Sequence, residues 1–330
     1  MQVRQSKQRD QYRPILRQHL DDLPQFHHLS PDERIAMMAV SAVLPFRTNA
    51  YVIEELIDWD NIPDDPIYQL TFPQKGMLTE EDFDWMVDLI NRDAANSELN
   101  EAANDIRLRL NPHPAGQIEH NVPHYGGEPV SGMQHKYWDT ALFFPSQGQT
   151  CHAFCTYCFR WAQFVGIEDL KFSGHEADRL HSYLKKHKEV HELLFTGGDP
   201  MVMKTEILER YINGILSAEL PQLKTIRIGT KSLSFWPYMY ISDPDSWDLL
   251  NLLRRVNEKG IHLALMAHIN HPRELETDAV KEAIARIRET GTTIRSQSPI
   301  LRHINDDPAL WISMWKKQVN LGIIPYYMFV

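Results

Sequence analysis

Three cysteines lie within eight residues of one another, at Cys151, Cys155 and Cys158, and the 330-residue chain has no others. Their spacing is C-x3-C-x2-C. Three thiolates on one short loop can bind three irons of a [4Fe–4S] cube. Because such cubes are usually held by four cysteines, a set of three leaves one iron free to bind another molecule. The spacing therefore predicts a cluster with an open iron.

Other uses of these thiols stay open at this point. A zinc ion could be bound by the three cysteines together with His152, although structural zinc motifs more often contain two separated cysteine pairs, and no second pair exists here. A disulfide scaffold fits poorly, because three is an odd number and a chain of this size does not need such cross-links. The thiols could also be unrelated buried side chains. The iron–sulfur interpretation fits the spacing best.

Size, composition and charge are those expected of a cytoplasmic enzyme. The chain is long enough for one large domain and a smaller one, and 43% of its residues are hydrophobic. A net charge of −10 argues against a nucleic-acid partner. The N-terminus is too polar for a signal peptide, and no apolar run approaches the length of a membrane span.

The chain divides near residue 135 into a helical N-terminal arm, residues 1–135, and a catalytic domain, residues 136–330. Ser30 is a predicted helix N-cap, with Glu33 completing a capping box. Thr79 is a second N-cap before another amphipathic stretch. Proline-rich linkers separate these helices, so we expect the arm to pack against the catalytic domain rather than carry the chemistry.

The catalytic domain alternates short apolar strands with amphipathic helices, which predicts an α/β fold with parallel strands. A doubly wound sheet would also fit this alternation. Polar and glycine-rich residues cluster just after the strand ends, however, as in a barrel with its site at the carboxyl mouth, so we predict a partial (β/α)6 barrel. The predicted strands are 140–145, 192–196, 225–229, 262–268, 293–300 and 325–330, and the predicted helices are 174–187, 204–217, 245–258, 278–290 and 308–320.

A series of short motifs follows the cysteines, each near a strand end. With the cysteine spacing, they resemble the lysine 2,3-aminomutase family of radical S-adenosylmethionine (SAM) enzymes, and five motifs in order at matching spacing are specific. The resemblance extends over roughly residues 30 to 330. The motifs are FR (159–160), TGGDP (196–200), IRIG (226–229), HINHP (268–272) and SQSPILRHIND (296–306), preceded by NIPDDP (61–66) and HKY (135–137).

The resemblance implies a SAM site. In such enzymes SAM chelates the open iron, and one electron cleaves it to methionine and a 5′-deoxyadenosyl radical. The GGD segment, Gly197, Gly198 and Asp199, is expected to bind the SAM amino group, with glycines allowing close backbone approach. His268 and Gln297 match SAM or active-site contacts. Without the cysteines, GGD would indicate an ordinary turn and His268 a structural histidine.

The resemblance also implies an amino-acid substrate and an electron donor of the flavodoxin or ferredoxin type. Arg160 matches the arginine that binds the substrate carboxylate, and a guanidinium can form a bidentate pair with that group. The alternative is a surface arginine at the cysteine loop. The expected reaction is a 1,2-amino shift on an α-amino acid.

Pyridoxal 5′-phosphate (PLP) is a further cofactor of the family, and Tyr137 matches a position near it. Thr140 stands where the family has an arginine close to PLP, although Lys136 could supply a positive charge there. The lysine that forms the Schiff base lies, by the resemblance, beyond Val330, as does the acid that recognises the substrate side chain. We therefore expect the C-terminal part of a longer enzyme to be missing.

Two alternatives to the aminomutase remain open from the sequence. One is a radical SAM enzyme that abstracts hydrogen without PLP. The other is a non-catalytic metal-binding module that keeps the fold, which an intact GGD segment beside all three cysteines argues against. The apolar terminal strand 325–330 is expected to be exposed, which favours pairing with another chain and hence a homo-oligomer.

Overall fold

The computed structural model describes residues 11–110, 120–167, 171–174 and 177–330. In the N-terminal arm, a short strand β1 (Pro14–Leu16) pairs antiparallel with β2 (Arg47–Asn49). The helices of the arm are α1 (Pro31–Val43), α2 (Pro66–Thr71), α3 (Glu80–Asn91) and α4 (Asn96–Arg109).

Side chains at the predicted N-caps begin two of these helices. The Ser30 hydroxyl accepts a hydrogen bond from Glu33 N at 3.3 Å, and Ser30 N donates to the Glu33 carboxylate at 2.7 Å. Thr79 accepts a hydrogen bond from Asp82 N at 3.2 Å. Each bond satisfies a backbone N–H that has no partner within its helix. Both predicted helix starts are confirmed.

A seven-stranded sheet forms the centre of the fold, in the spatial order β11-β10-β9-β8-β7-β6-β5. Strands β6 to β11 run parallel, and β5 lies antiparallel at the edge beside β6. The order never reverses, unlike that of a doubly wound sheet. The strands are β5 (Met133–Tyr137), β6 (Thr140–Phe143), β7 (Glu192–Phe195), β8 (Thr225–Thr230), β9 (His262–His268), β10 (Thr293–Pro299) and β11 (Ile324–Phe329), after a separate hairpin of β3 (His124–Tyr125) and β4 (Glu128–Pro129).

Helices connect successive parallel strands, as the alternation predicts, and the α/β class is confirmed. Predicted and observed strand ends differ by at most two residues. Within the described parts of the chain, none of the helices has the length and apolarity needed to cross a membrane. The helices of this half are α5 (Ala177–Lys186), α6 (Thr205–Ser217), the single turn α7 (Ser232–Phe235), α8 (Ser246–Glu258), α9 (Asp278–Glu289) and α10 (Pro308–Asn320).

The main hydrophobic core continues from the arm into the sheet. It contains Phe72 from the arm together with Phe143 and Phe195 from the sheet, all of them buried. A second, smaller cluster lies between α1, α3 and α4 and includes Val40 and Met86. The arm is thus anchored by shared apolar burial, and a domain boundary near residue 135 stays a prediction.

The edge strand β11 exposes large apolar side chains. Its backbone pairs with β10 along one side. Met328 and Phe329 are neighbours in the regular part of the strand, yet they are 41% and 40% exposed. Neighbours on a strand point to opposite faces, so both faces of β11 are open. The exposure predicted for this segment is observed.

Candidate active site at the carboxyl ends of the parallel strands

The cysteine loop lies at the carboxyl ends of β6 and β7. It follows β6 in the chain, and the segment that leads into it is held by the residue after the two glycines. Asp199 N donates hydrogen bonds to Gly148 O at 3.0 Å and to Thr150 O at 2.7 Å. The cysteines and the GGD segment, whose first glycine follows Cys158 by 39 residues, are thereby brought to one place.

The two glycines of this segment are required by the loop that they touch. A Cβ on Gly198 would stand 2.5 Å from Thr150 O and 2.6 Å from Thr150 N, both of them backbone atoms. Gly197 has a φ of +135°, which L side chains rarely adopt, and a Cβ there would meet the Gln149 side chain. Packing inside the protein therefore explains both glycines. Their approach to SAM stays a prediction.

Backbone carbonyls of the N-terminal arm hold the cysteine loop from the other side. Phe154 N donates to Arg47 O at 2.8 Å, and Thr156 N donates to Leu70 O at 2.9 Å. The Thr156 hydroxyl also bonds to Gln69 O at 2.8 Å. The arm thus shapes the loop directly, which the sequence did not reveal, because backbone carbonyls carry no residue-type signal.

The three cysteines are partly buried, and the charged forms of their thiols are disfavoured there. Burial, and then the nearby Asp199 and the two other thiols, raise the pKa of Cys151 well above its ordinary value. Burial also raises the pKa of Cys155 to about 12, although Lys231 opposes the shift. The pKa of Cys158 is raised by burial and partly offset by Arg160. Three such thiols can become thiolates together only if a bound cation compensates their charge.

The spacing of the ligand atoms does not match a single zinc ion. Tetrahedral zinc at 2.3 Å from each sulfur requires sulfurs about 3.8 Å apart. Among the residues that the structure describes, no set of three His, Cys, Asp or Glu ligand atoms at this loop lies within 4.8 Å of one another. His152, the fourth ligand of the zinc alternative, packs edge-on against the Tyr12 ring at 5.3 Å. A cube, in which each thiolate binds a different iron, separates its ligands more widely.

Arg160 is partly buried beside the cysteines, and one nitrogen of its guanidinium is unsatisfied. Its guanidinium carbon lies 4.3 Å from the centre of the Phe144 ring. Its Nε is buried, and no group accepts a hydrogen bond from it within the described residues. Burial lowers the pKa of Arg160 to about 10, and the neighbouring Cys158 and Cys151 oppose that shift. A buried unsatisfied guanidinium donor is costly unless an anion can bind to it.

Asp199 links the ends of β7 and β8. Its side chain is 1% exposed and accepts hydrogen bonds from Met201 N at 2.9 Å, Thr230 Oγ1 at 2.9 Å and Lys231 N at 2.8 Å. Burial raises its pKa to about 6, although these hydrogen bonds oppose the shift. The carboxylate is therefore largely occupied within the protein, and contact with the SAM amino group stays a prediction.

A buried ion pair stands next to this carboxylate and was missed by the sequence analysis. Lys231 Nζ lies 2.6 Å from Glu274 Oε2, and the two side chains are 10% and 0% exposed. Nζ also donates to Asn270 Oδ1 at 2.8 Å and to His268 O at 3.3 Å. Lys231 follows β8 and Glu274 follows β9, so the pair joins two strand ends.

Amide and hydroxyl groups extend this network to the cysteine loop and to β10. Asn270 Nδ2 donates to Ser298 Oγ at 2.9 Å, and Asn305 Nδ2 donates to Asn270 O at 2.9 Å. From the cysteine loop, the Tyr157 hydroxyl reaches Asn270 Oδ1 at 3.4 Å. Asn270 thus connects the loop with the ends of β9 and β10.

His268 and Gln297 stand side by side on adjacent strands, β9 and β10, where they are register partners. The Gln297 amide and His268 Nε2 are in hydrogen-bond contact. Burial, together with the nearby Lys231, lowers the pKa of His268 to about 3, so the imidazole is neutral. The two residues predicted to contact SAM are brought together, and that contact itself stays a prediction.

A second ion pair attaches the loop after β9 to the N-terminal arm. Arg273 Nη1 pairs with Asp65, whose side chain is fully buried, and donates to Leu56 O at 3.1 Å. Asp65 also caps α2 by accepting from Ile67 N at 2.9 Å. It belongs to the NIPDDP motif, so that motif has a structural task in the arm.

Tyr137 lies away from the other predicted site residues. It pairs with Thr140 at the turn between β5 and β6, at the amino end of the parallel strands, and is 58% exposed. The Thr140 hydroxyl contacts Glu192 Oε1 at 3.2 Å, and Glu192 in turn pairs with Arg227. The cysteine loop follows the opposite end of β6. A PLP role for Tyr137 stays a prediction.

The chain is similar to curated L-lysine 2,3-aminomutases, while no protein-family model matches it. An Aquifex aeolicus relative, whose name is given provisionally as L-lysine 2,3-aminomutase, is 33% identical over 309 residues, or 93% of this chain and 70% of the relative. The Clostridium subterminale enzyme is 25% identical over 245 residues, which cover 74% of this chain and 55% of that enzyme. The Methanococcus maripaludis enzyme is 25% identical over 94% of this chain and 61% of its own length. The chain therefore spans between about half and seven tenths of these relatives, and it belongs to the L-lysine 2,3-aminomutase family.

Proposed function

We propose that this chain is a radical SAM enzyme of the lysine 2,3-aminomutase type, with Cys151, Cys155 and Cys158 as ligands of one [4Fe–4S] cluster. The observation that carries the proposal is the group of three partly buried cysteines at the strand ends, too widely spaced for one zinc ion and packed against the GGD segment. A sheet of six parallel strands in chain order supports its finer fold, a partial (β/α)6 barrel.

The donor set fits the cluster. Burial makes free thiolates unfavourable at all three cysteines, so a cationic cluster would compensate charges that the protein alone cannot. When bound, the cluster would supply the electron that cleaves SAM. The protein's own part is to hold the shape of the loop through the carbonyls of Arg47 and Leu70.

The substrate carboxylate is the natural partner for Arg160. Its buried Nε lacks an acceptor among the described residues, and a carboxylate could accept from Nε and a terminal nitrogen at once. The phenyl ring of Phe144 fixes the guanidinium plane from one side. His268 and Gln297 would add neutral hydrogen-bonding groups on the neighbouring strands.

The described residues do not form a complete PLP site. Thr140 contacts Glu192 rather than presenting a positive charge, and Lys231 is held by Glu274. A PLP-assisted amino shift is therefore proposed from family membership alone. The Thr140 position favours a second candidate function, SAM-dependent hydrogen abstraction without PLP. A non-catalytic metal-binding module of the same fold is a third.

The remaining parts of the proposal concern partners. An α-amino acid would be the substrate, and a flavodoxin or ferredoxin would supply one electron at a time. The exposed strand β11 supports association with a second copy. The protein would work in the cytoplasm.

The test is SAM cleavage by the anaerobically reconstituted chain with dithionite, followed by mass spectrometry of the products. Methionine and 5′-deoxyadenosine should form in the wild type and not in Cys155→Ala. A β-amino acid from an added α-amino acid such as L-lysine, dependent on PLP, would support the aminomutase. Cleavage without that product would favour the second candidate. No cleavage by a protein with a full cluster would favour the non-catalytic module.

A further inference from the structure

Two histidines and a glutamate meet on the side of the molecule away from the cysteine loop. His135 lies on β5, and His187 and Glu189 follow the end of α5. One ligand atom of each residue lies within 4.8 Å of the other two, and all three side chains are partly buried. Among the described residues, this is the one group of three metal-ligating side chains with such spacing.

The hydrogen bonds of His135 fix which ring nitrogen carries a lone pair. His135 Nε2 lies 3.2 Å from Trp138 O, and a carbonyl can only accept, so Nε2 carries the hydrogen. Nδ1 then carries the lone pair, and the Tyr183 hydroxyl at 2.6 Å donates to it a hydrogen bond that a metal ion would replace. An imidazole whose other N–H donates to a backbone carbonyl is the usual arrangement of a metal-binding histidine.

His187 is oriented in a comparable way. Its Nδ1 lies 2.7 Å from Glu189 Oε1, so a neutral imidazole donates Nδ1–H to the carboxylate and keeps its lone pair on Nε2. The ring also stacks on Tyr183 with centroids 3.9 Å apart. A histidine held by a carboxylate is oriented and made a stronger base for a metal ion.

We propose that His135, His187 and Glu189 form a binding site for a divalent transition-metal ion of the zinc type. Two imidazole nitrogens and a carboxylate are donors of intermediate softness, which suit Zn²⁺ better than Mg²⁺ or Ca²⁺. Glu189 Oε1 is held by His187 Nδ1, so Oε2 is the carboxylate oxygen that would bind the ion. Water completes the coordination, as in open zinc sites with three protein ligands.

The site would attach the edge strand of the sheet to its first crossover helix. His135 belongs to β5, while His187 directly follows α5 on the chain between β6 and β7. A metal bridge here would restrain the β5–β6 turn, where Trp138 is 79% exposed. The site is separate from the cysteine loop, which follows the opposite end of β6, so the proposal does not depend on the cluster.

Zinc retention measured beside iron tests the proposal. The anaerobically reconstituted full chain is incubated with Zn²⁺ and desalted, and both metals are counted by mass spectrometry. We expect about one zinc ion per chain in the wild type and loss of that ion in His187→Ala, with iron unchanged. Glu189→Gln should weaken zinc binding by roughly 10- to 100-fold. His191→Ala is the matched control, because His191 is exposed nearby and outside the group.

Thermal unfolding shows whether a variant that retains no zinc is still folded. Zinc should raise the unfolding midpoint of the wild type and of His191→Ala but not that of His187→Ala. Equal zinc retention in wild type and His187→Ala, or no retention by the wild type, would overturn the proposal. So would zinc that disappears with the cysteines rather than with His187, which would also count against the cluster.

Discussion

Replacing Lys231 by Met should destabilise the fold strongly, because it leaves a buried carboxylate without its cation. Glu274 is fully buried and Lys231 nearly so. Removing one partner of a buried pair costs about 3–5 kcal/mol. Glu274 keeps hydrogen bonds from Asn270 N at 2.8 Å and His271 N at 3.0 Å, so we expect a cost at the lower end of that range. A loss of about 3 kcal/mol is a large part of a typical stability of about 5–15 kcal/mol.

The assay is guanidinium unfolding at neutral pH, with an exposed pair as the control. Lys317 and Glu276 also form an ion pair, but their side chains are 39% and 53% exposed, so Lys317→Met should cost less than about 1 kcal/mol. The double variant Lys231→Met/Glu274→Gln removes both charges and should be more stable than Lys231→Met alone. If Lys231→Met and Lys317→Met cost the same, or if the double variant is the least stable, the reasoning is refuted.

Three further predictions concern the loop, the anion site and pH. Gly198→Ala should lower the free energy of unfolding by about 1–3 kcal/mol, because its Cβ would stand 2.5 Å from Thr150 O. Gly76→Ala is the control, since a Cβ there meets nothing within 4 Å. Equal effects of the two substitutions would contradict this prediction. Arg160→Lys should weaken amino-acid binding by roughly 10- to 100-fold in calorimetry and leave uncoupled SAM cleavage largely intact; unchanged affinity would remove Arg160 from the site. Burial raises the pKa of Asp199 to about 6 from 3.8, so the folded protein binds the proton of this carboxyl more tightly than the unfolded chain does. This group therefore stabilises the fold at low pH, and that contribution is lost as pH rises through 6. From pH 7 to 4 the wild type should gain up to about 3 kcal/mol over Asp199→Asn, and urea unfolding curves with a pH-independent difference would contradict the assignment.

The order and type of the helices and strands could be predicted from the sequence, because the spacing of apolar residues reflects which side chains are buried. Strand β10 alternates buried and partly exposed residues along its length, and the helices after each strand have one apolar face. The caps at Ser30 and Thr79 are local patterns within four residues, which sequence alone contains. Parallel pairing follows from the alternation, because a helix between two strands returns the chain to the end of the sheet at which the previous strand began.

The network that positions the site could not be predicted, because its partners are distant in sequence. Lys231 and Glu274 are 43 residues apart, and neither belongs to a pattern with a required spacing. The arm carbonyls that hold the cysteine loop have no sequence signal at all. Gly198 was expected to face SAM, whereas the structure provides a protein contact that already requires a glycine.

The site residues identified from motifs fall into two groups. Cys151, Arg160, Asp199 and His268 lie along connected strand ends, because the carboxyl ends of parallel strands share one edge of a sheet. Tyr137 was expected near the same chemistry but lies by the turn before β6. The predicted strand 140–145 has Tyr137 before it and the cysteines after it, so the predicted topology already placed Tyr137 at the opposite end of the strand from the cluster, against the motif match.

The most direct test of the central claim is the metal bound by the three cysteines. After anaerobic reconstitution, the wild type should contain about four iron and four sulfide per chain, and Cys151→Ala, Cys155→Ala and Cys158→Ala should each lose most of this iron. Added SAM should change the electron paramagnetic resonance spectrum of the reduced wild type, because the open iron gains a ligand. Full iron content in the cysteine variants, or zinc in place of iron that is lost when Cys155 is replaced, would contradict the account.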